Sequence, residues 1–371
     1  FQAEDGIRDR SPSRGLGDVY KRQFLDDSTL KIHLNQELKQ ETSLDGLSAM
    51  LHPENLKQTV AISAPPYLPF PCFPDVIGAV LEYLMPPEWE ELNDRGKNYL
   101  KWISVKAEAI DTLFPESSES PTRGFELLAI NREGNGFAKI IEQSDELKIP
   151  SVLLRFSTLI ATFLTVRLLL KQMNEDGLPV PSLFFTQNVD ADYLNYPRAL
   201  QNLLQLFPEC QQMFHFEVSE LLTEDYVTTI RTLAEDLGIR FVLDDTNKMD
   251  SRVHQKLLDL ADWIKIDFQA TASIEARLQE GQGEQILLHL ELYAHGAGSP
   301  VIVFEGLGDD SQLKTFLQER WRNSETSLYQ QSRERLPVPP WDRYFGLIQD
   351  YHPEEKGLFY QGLLVDQEKA S

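Results

Sequence analysis

The sequence predicts an α/β protein whose core is a closed, TIM-type (β/α)8 barrel. Short apolar runs alternate with segments of helical apolar spacing along most of the chain. Nearly every apolar run ends in a polar or acidic residue, and active sites of such barrels form at the C-terminal ends of the strands. An open, doubly wound sheet is the structural alternative, but no glycine-rich phosphate turn follows a predicted strand.

The predicted strands follow one another in order, each with a polar residue in it or at its end. They are 124–130, which contains Glu126; 182–187, which precedes Asn188; 213–216, which precedes Glu217; 239–243, which precedes Asp244 and Asp245; 263–267, which contains Lys265; 300–304, which precedes Glu305; and 357–360, which precedes Gln361. The clearest helices between them are predicted at 193–207, 223–237, 254–261 and 284–295.

Acids at the tips of apolar strands need an explanation, because burial stabilises such a strand and a carboxylate adds nothing to that. One such acid could simply be a polar strand end that faces water. A series of them on successive strands indicates instead a site at one end of the barrel. Paired acids there can hold divalent metal ions.

The first part of the sequence is expected to lie outside the barrel. Residues 1–23 resemble a translated sequencing adaptor, so we leave them out of the fold prediction and expect the native N-terminus to be missing. Residues 24–98 form a small N-terminal extension that is Pro-rich between Pro65 and Pro74 and then helical near 76–85. The Pro-rich segment either wraps its own domain or serves as a ligand for a partner domain. The barrel domain is predicted at 99–365.

Composition restricts the partners and the compartment. The net charge of −23 argues against binding of DNA, RNA or an anionic membrane. Two cysteines form no disulfide framework or zinc spacing, which favours the cytoplasm. The most apolar stretch, 152–173, is interrupted by Arg155 and Arg167, so we expect a barrel helix and no membrane segment. His215 lies in the middle of a strand and is predicted to be a packed core residue.

The residues at the strand ends resemble, in order, the motifs of the EAL family of cyclic di-GMP phosphodiesterases. Lys265-Ile266-Asp267 is identical to the family's Lys-Ile-Asp motif. The other matching fragments are Glu126-Leu127-Leu128 for the Glu-Ala-Leu signature, Asn188 for a metal-ligand asparagine, Phe216-Glu217-Val218-Ser219-Glu220 for Leu-Glu-Ile-Thr-Glu, Asp244-Asp245 for the Asp-Asp pair, Phe304-Glu305-Gly306-Leu307 for Ala-Glu-Gly-Val, and Gln361-Gly362 for the closing Gln-Gly. Each fragment alone is weak, whereas the ordered set is specific.

The resemblance implies an EAL-like barrel with a two-metal site for Mg²⁺ or Mn²⁺. It implies that cyclic di-GMP is hydrolysed to the linear dinucleotide, in bacterial second-messenger signalling. The implied metal ligands are Glu126, Asn188, Glu217, Asp244 and Asp245; the implied catalytic residues are Lys265, Glu305 and Asp245; the implied substrate-binding residues are Gln361 and Leu128. Lys265 would stay protonated among so many carboxylates and would orient the attacking water.

The sequence also departs from the family pattern. The family's phosphate-contacting arginine is Ile130 here, the loop after Asp245 is rewritten at 246–249, and a long insertion that includes 321–356 precedes Gln361. The altered loop predicts that a possible homodimer is weakened. These changes support a second interpretation, a catalytically degenerate domain that acts as a cyclic di-GMP receptor or protein-interaction module. A third is an unrelated barrel enzyme in which Lys265 forms a Schiff base.

Overall fold

The chain divides into two units, 1–47 and 48–371, and the barrel lies in the second. The computed structural model describes residues 44–53, 55, 61–62, 71–114, 122–131, 133, 135–175, 183–189, 191–219, 224–244, 260–296, 301–308, 310–321 and 327–331. A short antiparallel strand pair, Ala61–Ile62 with Pro71–Cys72, precedes the barrel.

The core is a closed barrel of eight strands, which confirms the predicted fold class. The strands are β1 (Ser104–Thr112), β2 (Thr122–Ile130), β3 (Phe184–Val189), β4 (Phe214–Ser219), β5 (Arg240–Asp244), β6 (Trp263–Ile266), β7 (Val301–Glu305) and β8 (Ser327–Gln331). Strands β2 to β8 pair in parallel, so their C-terminal ends meet at one end of the barrel. Only β1 is antiparallel to both of its neighbours, β8 and β2.

Two of the eight strands were not predicted. In β1, Lys106 and Glu108 alternate with apolar residues, so this strand lacks the continuous apolar run that marks a strand buried on both faces. The closing strand β8 is mostly polar and lies inside the insertion 321–356. The closing strand was predicted at 357–360, which lies outside the described residues, whereas β8 occupies the eighth place in the barrel.

The described helices precede β1 or lie between consecutive barrel strands in the sequence. Their bounds are Leu44–Met50, Pro74–Leu84, Pro86–Glu91, Asp94–Lys101, Phe137–Glu146, Ser151–Glu175, Ala191–Leu194, Pro197–Leu206, Pro208–Met213, Glu224–Leu237, Phe268–Gln279, Gly283–Gly296 and Gln312–Arg320. Three of them begin with a side-chain cap, in which Asn93, Asp267 and Ser311 accept a hydrogen bond from a backbone N–H of the first turn. Asp267 of the Lys-Ile-Asp motif therefore has a structural role.

The helix Ser151–Glu175 is the one described helix that is long and apolar enough to cross a membrane. Of its most apolar window, 89% is buried within the protein, as expected for a core helix. Phe163 packs against Phe214 of β4, with ring centroids 4.8 Å apart, and Thr162 donates a hydrogen bond to Gln187 of β3. Ser157 donates a hydrogen bond to the carbonyl of Leu100, which ties this helix to the N-terminal helices. These contacts confirm the predicted barrel helix.

An aromatic layer fills the barrel below the strand tips. The rings of Phe184 and Trp263 lie 4.0 Å apart edge-to-face, and His215 lies 4.2 Å from Trp263. A Cβ atom at Gly124 would lie 2.1 Å from the Phe184 ring, so only glycine leaves room for this layer. His215 is 2% exposed within it, which confirms the predicted packing role.

Acid sensitivity is expected to depend on His215. Burial, with a smaller effect of Arg240, lowers the pKa of His215 to about 3. An unfolded histidine has a pKa of about 6.5, so neutral His215 stabilises the fold above that pH and the stabilisation is lost as the pH falls toward 3. Between pH 6.5 and 4.5 this effect amounts to about 2–3 kcal/mol. His215→Phe should reduce the loss of unfolding free energy over that range in urea titrations.

The exposed His289 provides the control for this prediction. His289→Phe should leave the pH dependence of the unfolding free energy as it is in the wild type. Equal acid sensitivity of the His215→Phe variant and the wild type would contradict the prediction.

Candidate active site

The Lys265 ammonium is the centre of a charged cluster at the C-terminal end of the barrel. Its side chain is 1% exposed. Its Nζ atom lies 2.8 Å from Glu305 Oε1, 3.0 Å from Glu217 Oε2, 3.2 Å from Glu126 Oε2 and 3.6 Å from Asp244 Oδ1. The four carboxylates come from β2, β4, β5 and β7. The fold thus brings the ends of strands that are far apart in the sequence into contact with one side chain.

The alternation of side chains along each strand explains this convergence. On β6, Lys265 points into the barrel, whereas its neighbours Ile264 and Ile266 are buried on the outer side. Phe216 and Val218 likewise flank the inward-facing Glu217 on β4. Because side chains alternate with a period of two residues, the predicted strand-end acids that the structure describes all lie on the inner face.

Glu126 accepts hydrogen bonds from three side chains at the cluster. Asn188 Nδ2 of β3 donates a hydrogen bond to Glu126 Oε1 at 3.1 Å, and Lys265 contacts the other carboxylate oxygen. Gln331 Nε2 of β8 donates a hydrogen bond to Glu126 Oε2, the oxygen that Lys265 also contacts. Gln331 was missed by the sequence analysis, because its strand lies within the insertion.

Strand β1 contributes an ion pair, Lys106–Glu108, that was not predicted from the sequence. Glu108 is 3% exposed and lies opposite Glu126 in the β1–β2 register. Its Oε1 atom is 2.8 Å from Lys106 Nζ, and its Oε2 atom is 3.5 Å from Gln331 Nε2. The alternation of charged and apolar residues in 104–109 was the available signal.

The electrostatics of the cluster favour a protonated lysine. Burial opposes the charge on Lys265, but Glu126, Glu217, Asp244 and Glu305 outweigh it and raise the pKa of Lys265 well above its usual value. Burial also raises the pKa of Glu217, together with repulsion by Glu126. The pKa of Glu126 is lowered, because Lys265, Gln331 and Asn188 stabilise its charge more than burial disfavours it.

The remaining predicted site residues divide into two groups. Leu128 is half-buried on β2, two residues beyond Glu126 on the same face, so it borders the mouth of the barrel. Asp245 and Gln361 lie outside the described residues, and their roles stay predictions. Ile130, at the position of the family's arginine, is 3% exposed.

Solved structures similar to this chain include EAL domains. The EAL domain protein from Listeria monocytogenes is 18% identical, with a TM-score of 0.48 over 67% of this chain and 94% of that one. The FimX EAL domain is 15% identical, with a TM-score of 0.47 over 74% and 98% of the two chains. PaMucR phosphodiesterase, in complex with c-di-GMP, is 15% identical, with a TM-score of 0.46 over 62% and 89%. No protein-family model and no curated protein sequence matches the chain.

The donor set fits a hard divalent cation in its chemistry. Carboxylate and carboxamide oxygens are the ligands that Mg²⁺ and Mn²⁺ prefer, and four carboxyl groups cluster around the Lys265 ammonium. The four carboxylates are arranged as ion-pair partners of Lys265 Nζ. Within the described ranges, no group of three or more His, Cys, Asp or Glu side chains is arranged to hold a metal ion.

Proposed function

We propose that this protein is an EAL-like, metal-dependent phosphodiesterase that hydrolyses cyclic di-GMP to the linear dinucleotide in bacterial second-messenger signalling. The observation that carries the proposal is the convergence of Glu126, Glu217, Asp244 and Glu305 on Lys265. Five strands contribute these residues at the end of the barrel where active sites form. The proposed setting is the cytoplasm, and the rewritten loop 246–249 would weaken a homodimer.

Each side chain has a proposed part in the reaction. Two divalent cations, when bound, would acidify a water and neutralise charge on the phosphate oxygens. Glu126, Asn188, Glu217 and Asp244 would hold the first cation, and Asp244, Asp245 and Glu305 the second. Protonated Lys265 would donate a hydrogen bond that orients the attacking water. Leu128 and Gln361 would contact the dinucleotide.

Two observations bear on the alternative interpretations. Ile130 is buried and apolar, so β2 offers no cation to a phosphate at that position, which favours a receptor that binds cyclic di-GMP without turnover. The Schiff-base interpretation needs a neutral amine, whereas the surrounding carboxylates raise the pKa of Lys265 and keep it protonated. The receptor therefore stands as the second candidate function.

Product analysis distinguishes the enzyme from the receptor. The purified chain is incubated with cyclic di-GMP and Mn²⁺ or Mg²⁺, and the nucleotides are separated by chromatography. We expect the linear dinucleotide to form with metal and not with a chelator. Binding of cyclic di-GMP without any linear product, even with Mn²⁺ at alkaline pH, would support the receptor instead. If the chain neither binds cyclic di-GMP nor forms the linear product, both candidate functions are contradicted.

A further inference from the structure

The inner face of β1 carries a second cation at the mouth of the barrel. We propose that Lys106 is the side chain that contacts a phosphate of the bound dinucleotide. This inference rests on the proposed function and adds the residue that recognises the anionic part of the ligand. It applies equally to the enzyme and to the receptor, because both must bind the same phosphodiester.

The antiparallel direction of β1 places Lys106 at the right end of the barrel. Because β1 runs against β2, its N-terminal half lies beside the C-terminal half of β2. Lys106 pairs with Leu128, two residues beyond Glu126 toward the mouth, and Glu108 pairs with Glu126 itself. Residues directly opposite in an antiparallel pair share a face of the sheet. Lys106 therefore lies on the inner face, one layer above the charged cluster.

The Lys106 side chain is more exposed to solvent than that of Lys265. The Lys106 side chain is 33% exposed and contacts the buried Glu108 at 2.8 Å. An ammonium has three N–H donors, so one contact with Glu108 leaves capacity for a phosphate oxygen. Lys265 is 1% exposed and already contacts four carboxylates. A phosphate at the mouth would meet Lys106 first.

Apart from the buried Lys265, the described barrel strands offer no other cation at this end. Their Lys and Arg residues are Lys106, Arg123, Arg240 and Lys265. Arg123 and Arg240 lie at the start of β2 and β5, toward the opposite end of the barrel. Five carboxylates, those of Glu108, Glu126, Glu217, Asp244 and Glu305, line the inner face near the mouth. An anionic ligand entering this acidic site needs a local donor, which Lys106 supplies.

Binding measurements on Lys106 variants test the inference. The affinity of each variant for cyclic di-GMP is measured with Mg²⁺ at several salt concentrations, and chromatography shows whether the ligand stays intact. If it is hydrolysed, KM and kcat are measured instead. Lys106→Gln should weaken binding or raise KM by about tenfold or more, as expected for loss of a charged hydrogen bond. The salt dependence should become shallower, since one ion pair is lost. Lys106→Arg should retain most of the affinity.

Lys171 provides a matched control. It forms an ion pair with Glu175 at 3.5 Å near the end of the helix that precedes β3, on the side where β3 begins. Lys171→Gln removes the same charge from the protein and should leave binding within about twofold of wild type, because long-range charge effects are screened. Circular dichroism of every variant, with Lys106→Met as a second neutral substitution, separates binding from folding.

The outcomes separate the inference from the proposed function. If the wild type binds cyclic di-GMP and the Lys106→Gln and Lys106→Met variants bind it equally well, the inference alone is overturned. Equal losses in the Lys106→Gln and Lys171→Gln variants would overturn it as well, because the effect would then be one of net charge. A folded wild type that does not bind cyclic di-GMP would overturn the proposed function, and the inference would fall with it.

Discussion

Replacing Lys265 with methionine is expected to lower the free energy of unfolding by about 3–5 kcal/mol, the usual cost of removing one partner from a buried ion pair. Lys265 is 1% exposed, and four carboxylates lie within 3.6 Å of its ammonium. Without the ammonium these acids would repel each other inside the barrel, and some would take up protons. Urea titrations at neutral pH measure the change. Hydrolysis of cyclic di-GMP should be lost in the same variant.

An exposed pair elsewhere in the protein provides the control. Lys139 and Glu142 also lie 2.8 Å apart, but their side chains are 46% and 59% exposed. Lys139→Met should leave stability unchanged within error, because solvent screens such a pair. Added Mg²⁺ should restore part of the stability of the Lys265→Met variant if the carboxylates bind cations. Equal stability of the Lys265→Met and Lys139→Met variants would contradict the assigned role of the cluster.

Glu126→Gln is expected to reduce turnover by at least about 100-fold, since even the outer partners of metal ligands commonly contribute 10–100-fold. The substitution keeps the shape of the side chain but removes the charge that faces Lys265 and that would hold a cation. Glu126 also accepts hydrogen bonds from Asn188 and Gln331, so its loss disturbs three contacts at once. Product formation and Mg²⁺ affinity by calorimetry measure the effect.

The exposed Glu142 is the matched control for this substitution. Glu142→Gln should leave both turnover and Mg²⁺ affinity as they are in the wild type. Turnover of the Glu126→Gln variant within threefold of wild type would exclude Glu126 as a metal ligand. If the wild type binds cyclic di-GMP without hydrolysing it, Mg²⁺ affinity alone tests this prediction, and Glu126→Gln is expected to reduce that affinity to the same extent.

Strands β2 to β7 could be predicted because burial on both faces requires nearly continuous apolar runs. Their polar ends stand out against those runs, so Glu126, Glu217, Asp244, Lys265 and Glu305 were recognisable as site candidates. Strands β1 and β8 close the barrel beside the site, and their inward positions are polar: Lys106 and Glu108 on one, Gln331 on the other. A polar inner face disrupts the apolar run, so neither strand was apparent from the sequence.

The sequence by itself determined the fold class, the order of the strand-end residues and their oxygen-rich chemistry, because hydrophobic periodicity and local strand endings are properties of neighbouring residues. Only the tertiary structure decided that β1 runs antiparallel, that Gln331 contacts Glu126, and that four carboxylates meet at Lys265. Those contacts join residues far apart in the chain. They depend on which strand lies beside which when the barrel closes, and that pairing comes from packing of the whole core rather than from any single segment.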